Sequence, residues 1–157
     1  FWLFPPVAAA LLLLGEPSPA WFAAGVAAFT FVEYWTHRSL LHRFFWHGTH
    51  ERHHLNPREH VVFPIWYTPS IFAVAVSAFW LAGLPLSFGS GFVGGYLWFM
   101  TLHHLLHHVA PRPGSALERY AIWHNRHHKE PGCNFGITHP AWDWLFGTYR
   151  GRAALLP

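Results

Sequence analysis

The chain has 157 residues, of which 52% are hydrophobic and 11% charged, with a formal net charge of +3. An ordinary soluble domain has about 25% charged residues, so this composition argues against a water-exposed globule and predicts a lipid-facing surface. The basic residues form no continuous stripe, which argues against nucleic acid as a partner. Because Cys133 is the single cysteine, an intrachain disulfide and a cysteine-based zinc module are excluded.

Four apolar segments, taken in chain order, predict four transmembrane helices arranged as two hairpins. The first is short, because a helix of about 14 residues covers only about 21 Å of a bilayer core about 30 Å thick. A span that starts before Phe1 would explain this length. Turn-forming Gly and Pro residues separate the helices of each hairpin. The predicted spans are residues 1–14, 20–36, 65–84 and 91–108.

The basic residues predict the orientation of these spans. All ten Lys and Arg follow either the second or the fourth span, and the two hairpin turns contain none. By the positive-inside rule, both termini and both basic blocks are cytoplasmic. The predicted fold is an all-α integral membrane domain of residues 1–157, with a cytosolic histidine-rich helical cap of residues 37–62 and 109–157. A soluble helical bundle with buried hairpins is the alternative.

Ten of the 15 histidines form four clusters with regular spacing, all on the predicted cytoplasmic side. Residues i, i+3 and i+4 of a helix share a face, so each H-x2-H-H cluster presents three imidazoles to one side. The H-x4-H cluster is less regular. Its rings can face a common point only if that point lies beside the helix, between two metals, or if the helix loosens there. The clusters are His37 and His42; His50, His53 and His54; His103 and His107; and His124, His127 and His128.

Local signals place two of these clusters on helices. Ser115 and Glu118 form a capping box that begins the helix of the fourth cluster. Asn56 and Pro57 end the helix of the second cluster. Both H-x2-H-H clusters are therefore predicted to be helical.

The number of clustered imidazoles predicts a centre of two metal ions. Ten are too many for one ion, which takes about four to six ligands, and they leave positions open on two. Without metal, so many imidazoles near a membrane would lack partners and would repel one another when protonated. Zinc, copper, iron and nickel all suit imidazole, so the spacing leaves the metal open. The remaining histidines at 47, 60, 104 and 108 are expected to be ordinary surface or core residues.

The clusters and their flanking residues resemble the histidine boxes of the fatty acid hydroxylase and sterol desaturase superfamily, which consists of integral membrane di-iron proteins. The resemblance covers about residues 33 to 149, including a closing signature after the fourth box. The matching motifs are EYWTHR at 33–38 with His42, HERHHLNP at 50–57, HHLLHH at 103–108, HNRHH at 124–128, NFG at 134–136, WD at 142–143 and FGT at 146–148.

The resemblance implies a four-helix transmembrane unit, two iron ions held by the ten clustered histidines, and O2 as co-substrate. It also implies a lipid substrate and a separate electron donor, either a ferredoxin or a cytochrome b5-like protein with its reductase. No catalytic residue is expected beyond the metal centre, and a purified sample could carry zinc in place of iron. The short spacing of the first two boxes resembles compact bacterial members, which suggests the bacterial inner membrane. Residues expected to orient the ligands from the side away from the metal are Glu33, Glu51, Asn134, His139 and Asp143.

The predicted reaction is O2-dependent hydroxylation of a fatty acyl or related lipid chain. Desaturation of a lipid or sterol on the same centre is the alternative, because the same ligands serve both reactions. A membrane metal-binding or metal-transport protein is the alternative of another class. The clustering of the histidines at one face argues for a site and not for a transport path.

Overall fold

The computed structural model describes residues 2–44, 47–59 and 64–151, without the side chain of His47. Within these ranges the chain consists of helices and loops and has no β-strand, which confirms the all-α prediction. The elements are α1 (Phe4–Leu14), α2 (Pro19–Trp35), a π-helical segment (Thr36–Leu41), α3 (His47–Leu55), α4 (Tyr67–Leu81), α5 (Leu86–His108), α6 (Ala116–Lys129) and α7 (Ala141–Leu145).

The four predicted spans correspond to helices α1, α2, α4 and α5. In the part of the chain that the structure describes, no helix combines the length and the apolar character needed to cross a membrane. Their helical character is confirmed, whereas membrane crossing stays a prediction. The helix that corresponds to the fourth span begins before the predicted start of that span, because α5 begins at Leu86 and not at residue 91.

A close helix contact explains why glycines lie inside α5. A Cβ atom on Gly91 would lie 2.0 Å from the backbone oxygen of Phe22 in α2. A Cβ atom on Gly25 of α2 would lie 2.1 Å from the backbone oxygen of Phe88 in α5. Only glycine permits two helix backbones to approach so closely, so these residues serve packing and not a turn.

The chain divides into two compact units, and the first comprises Phe1–Thr30 and Val62–Trp98. Its interior is built from aromatic rings in edge-to-face contact. The Phe4 ring lies 5.1 Å from that of Phe72 and 4.8 Å from that of Tyr96, and Phe29 packs against Phe92 at 5.4 Å. The Ser90 hydroxyl donates to the backbone oxygen of Ala8 at 2.7 Å, which ties α5 to α1.

The second unit comprises Phe31–Val61 and Phe99–Pro157 and contains all ten clustered histidines. A small apolar core of Leu102, Leu106, Ala121 and Ile137 packs the end of α5 against α6 and the loop that follows it. Both local helix signals are confirmed. Ser115 caps α6 by accepting from the backbone N–H of Glu118, and α3 ends at Leu55.

Candidate metal centre

The π-helical segment explains the H-x4-H spacing. In a π-helix each N–H bonds to the carbonyl five residues back, so residues five apart lie on one face. Here the segment runs from Thr36 to Leu41. The Nε2 atoms of His37 and His42 lie 2.9 and 3.1 Å from the Nε2 atom of His50. The helix loosens at this point, as one of the two predicted explanations required.

The structure gathers all ten clustered histidines into two groups, in each of which the candidate ligand atoms lie within 4.8 Å of one another. The first histidine group is His37, His42, His50, His54 and His127. The second histidine group is His53, His103, His107, His124 and His128. The prediction that each H-x2-H-H cluster faces one side was wrong in detail, because both clusters divide between the two groups.

Helices α3 and α6 each supply ligands to both groups. On α3, His50 and His54 are four residues apart and join the first group, whereas His53 joins the second. On α6, His124 and His128 join the second group and His127 joins the first. Adjacent residues on a helix point about 100° apart, so neighbouring rings reach different groups.

The Nε2 contacts in the first group fit a central cation better than they fit hydrogen bonds. His50 Nε2 lies 2.9 Å from that of His37 and 3.1 Å from those of His42 and His54. A ring nitrogen has one hydrogen or one lone pair, so it cannot form three such bonds. Two nitrogens at right angles around an ion, each about 2.1 Å away, lie about 3.0 Å apart.

The second group has the same spacing. His103 Nε2 lies 3.2 Å from that of His53 and 3.0 Å from that of His107. His124 Nε2 lies 2.9 Å from that of His107 and 3.1 Å from that of His128. Each group therefore offers five nitrogen donors with the spacing that one cation needs, and five donors leave a position of an octahedron open.

Backbone carbonyls fix the tautomer of three ligands. The carbonyl of Phe135 faces His37 Nδ1 at 2.5 Å, and the carbonyl of Cys133 faces His127 Nδ1 at 2.7 Å. In the second group, the carbonyl of Glu59 faces His53 Nδ1 at 2.7 Å. A carbonyl can only accept, so each Nδ1 carries the hydrogen and each Nε2 keeps a lone pair directed into its group.

Burial keeps these rings neutral. Loss of solvent lowers the pKa of His37, His124 and His127 well below its ordinary value, and positive charge on neighbouring histidines lowers it further. For His54 burial lowers the pKa to about 4. The neutral ring is the form that binds a metal, so the site is ready for ligation at neutral pH.

Two of the predicted supporting residues contact the loop after α6. Asp143 is fully buried and accepts from the backbone N–H groups of Phe135 and Gly136. Glu33 is buried and accepts from those of Ile137 and Thr138. Among the described residues, both carboxylates bond backbone N–H and hydroxyl groups and not a histidine. The expected direct contact with imidazoles is replaced by contact with backbone that itself bonds imidazoles.

The other predicted supporting residues lie elsewhere. Asn134 is buried with a φ of 54°, and its side chain bonds the backbone of Trp123 and Arg150. His139 is exposed and accepts from the N–H of Ala141 at the start of α7. Glu51 is exposed on α3.

Sequence reasoning missed partners that contribute backbone or hydroxyl groups. The carbonyls of Cys133, Phe135 and Glu59 leave no side-chain signal. The hydroxyls of Thr138 and Thr148 bond Glu33 and Asp143, respectively. The NFG and FGT motifs mark two of these positions, Phe135 and Thr148, and no sequence signal marks the other three.

Two of the remaining histidines, His104 and His108, lie outside both groups. The rings of His104 and His108 are exposed and stack on each other with centroids 4.4 Å apart. His60 and the side chain of His47 lie outside the described residues.

Comparison with known proteins gives one consistent result. The family model described as "Fatty acid hydroxylase" matches residues 22–148. The chain is 33% identical over 144 residues to a dihydroceramide fatty acyl 2-hydroxylase of Arabidopsis thaliana, covering 79% of this chain and 58% of that protein. It is 33% identical over 158 residues to the ceramide very long chain fatty acid hydroxylase of Saccharomyces cerevisiae, covering 86% of this chain and 39% of that protein.

A solved structure shares the fold. It is described as full-length Scs7p with only the hydroxylase domain visible, and it matches with a TM-score of 0.73 and 28% identity. The match covers 99% of this chain and 65% of that one. The first curated relatives are longer than this chain, which spans from 39% to 61% of their length.

Proposed function

We propose that this chain, which belongs to the fatty acid hydroxylase family, is an O2-dependent hydroxylase of a fatty acyl or related lipid chain. The observation that carries the proposal is the pair of five-histidine groups, each compact enough for one metal ion. The names of the relatives supply the chemistry, since both curated relatives described above act as hydroxylases on fatty acyl or ceramide substrates. Nothing in these names supports desaturation.

The proposed centre contains two iron ions, one in each histidine group. When bound, the iron ions would supply the oxidation of an unactivated C–H bond with O2 as co-substrate. The chain holds the ions through ten neutral imidazoles and fixes ring orientation through backbone carbonyls at Nδ1. Histidines in both groups, such as His53 and His127, are buried away from solvent. Zinc binds such donors more tightly than ferrous iron, so an isolated sample could carry zinc.

A membrane location and a separate electron donor belong to the same proposal. Large apolar side chains of α4 are exposed, among them Val74, Trp80 and Leu81, and a lipid environment would cover them. The one-sided arginines support an integral inner-membrane protein with the histidines on the cytoplasmic side. A ferredoxin or a cytochrome b5-like protein with its reductase would supply the electrons.

Lipid mass spectrometry of aerobic cells that express the chain with a competent donor tests the proposal. We expect a lipid product about 16 Da heavier than its precursor, as insertion of one oxygen atom requires. Substitution His53→Ala removes a ligand of the second group and should abolish the product. The matched control His104→Ala changes an exposed ring outside both groups and should retain it.

Two outcomes would contradict hydroxylation. A product about 2 Da lighter than its precursor would indicate desaturation on the same centre. An unchanged lipid profile, together with two metal ions retained per chain, would indicate a metal-binding protein.

A further inference from the structure

We infer that Glu33 and Asp143 are positioning residues, which orient two ligands of the first histidine group through the backbone of residues 133–138. This inference rests on the proposed function, since it concerns the same metal centre. Both carboxylates are buried, and each would orient the imidazoles through the backbone and not by direct contact with a ring. Residues 133–138 are called the 133–138 segment below.

The two carboxylates bind four consecutive backbone N–H groups of the 133–138 segment. Asp143 accepts from Phe135 at 2.8 Å and from Gly136 at 2.9 Å, with one oxygen for each. The Oε1 atom of Glu33 accepts from Ile137 at 2.5 Å and from Thr138 at 3.0 Å. An ionised carboxylate has only acceptors, so it can satisfy two donors without offering a hydrogen of its own.

The same segment holds two ligands on its carbonyl side. The carbonyls of Phe135 and Cys133 accept from His37 Nδ1 and His127 Nδ1, respectively. These two rings come from different elements, the π-helical segment and α6, yet their centroids lie 4.5 Å apart. One short stretch of backbone therefore sets the relative orientation of two of the five rings in the first group.

Close packing and hydrogen bonds leave the backbone of the 133–138 segment little conformational freedom. A Cβ atom on Gly136 would lie 2.5 Å from the carbonyl oxygen of His139 and 3.1 Å from a carboxylate oxygen of Asp143. Asp143 is itself held by the hydroxyl of Thr148 at 2.7 Å, and Tyr34 contacts that hydroxyl at 3.0 Å. Displacement of either carboxylate would shift the 133–138 segment. It would thereby reorient His37 and His127, whose Nδ1 atoms bond the carbonyls of that segment.

The arrangement is specific to the first group. In the second group His53 takes its support from the carbonyl of Glu59, which belongs to the loop after α3. Loss of the Asp143 or Glu33 carboxylate should therefore weaken metal binding in the first group and spare the second. A merely structural role would affect both groups together, because α3 and α6 contribute to both.

The test measures Co2+ binding to the metal-free full chain in two ligand-deletion backgrounds. His124→Ala removes one of the five donors of the second group, and His42→Ala removes one of the first, so the tighter site in each background is the intact group. We expect Asp143→Asn to weaken Co2+ binding about 10–100-fold in the His124→Ala background, the usual cost of losing support behind a ligand. In the His42→Ala background the affinity should be unchanged. Glu33→Leu, which removes both carboxylate oxygens, should act in the same direction.

Controls separate positioning from loss of stability. Ser115→Ala removes the cap of α6 and should not distinguish the two backgrounds, because α6 serves both groups. Glu51→Gln changes an exposed carboxylate on α3 and should bind Co2+ like the parent chain. If Asp143→Asn does not fold, Thr138→Val, which removes only the hydroxyl bonded to Glu33, should give a smaller loss confined to the first group.

The inference would be overturned by unchanged Co2+ affinity in the first group, or by equal losses in both backgrounds. These outcomes are distinct from failure of the proposed function, in which the parent chain binds two ions but modifies no lipid. A parent chain that binds no Co2+ would overturn the proposed centre and the inference together.

Discussion

Acidification should destabilise the metal-free chain steeply, because its clustered histidines are buried as neutral rings. The pKa of His37, His124 and His127 lies well below its ordinary value in the folded chain and returns to about 6.5 on unfolding. The unfolded state thus binds more protons below pH 6.5, so stability is full above that pH and falls as the pH falls.

The size of the effect follows from linkage. An unfolded histidine of pKa about 6.5 gains about 1.4 kcal/mol from protonation at about pH 5.5, and a folded ring that stays neutral gains none. Three such rings lower the free energy of unfolding by about 4 kcal/mol. The free energy of unfolding of a domain is typically about 5–15 kcal/mol, so this loss is a large part of it.

Denaturant unfolding of the metal-free chain between about pH 8 and pH 5.5 measures this loss. Saturation with Zn2+ is the control, since bound metal competes with protons for Nε2 and should delay the loss to lower pH. A free energy of unfolding that stays level across this range would refute the claim that the rings are buried as neutral groups.

Two further predictions concern packing and metal removal. Gly91→Ala places a Cβ atom 2.0 Å from the Phe22 oxygen and should cost at least about 1–3 kcal/mol of stability, read as a lower thermal midpoint. Gly132→Ala, which has open space around the new Cβ, is its control and should leave the midpoint nearly unchanged. Chelation of bound metal should lower the midpoint as well, because it removes about 2.7 kcal/mol of stability for each ion originally present at 100 times its dissociation constant. A midpoint insensitive to chelator would show that neither histidine group binds metal in the folded chain.

The sequence was sufficient to identify which histidines meet. Spacing on helices selected the ten residues that the structure brings together and left His104 and His108 outside. It also named a loosened helix as one explanation for His37 and His42. These predictions succeeded because imidazoles at regular helical intervals have no ordinary role in such number.

The spacing of the histidines along the sequence could not predict how they divide between the two groups. Whether His53 and His54 share an ion depends on the direction from which a second element approaches α3, and that direction is a tertiary property. The start of α5 was placed too late for a similar reason, because glycines at 89 and 91 are typical of a helix boundary, and their packing role is visible only with α2 against Gly91. Glu33 and Asp143 were expected to support the histidines, but their partners could not be predicted because these are backbone N–H groups, which every residue but proline possesses.

His53 and His54 are consecutive on α3 but belong to different groups, and the same is true of His127 and His128 on α6. The distance between the two groups is therefore set by the width of a single helix. Loops elsewhere in the chain can lengthen, shorten or change composition without altering that distance. Related chains could therefore differ in surface and loops while the distance between the two histidine groups stays the same.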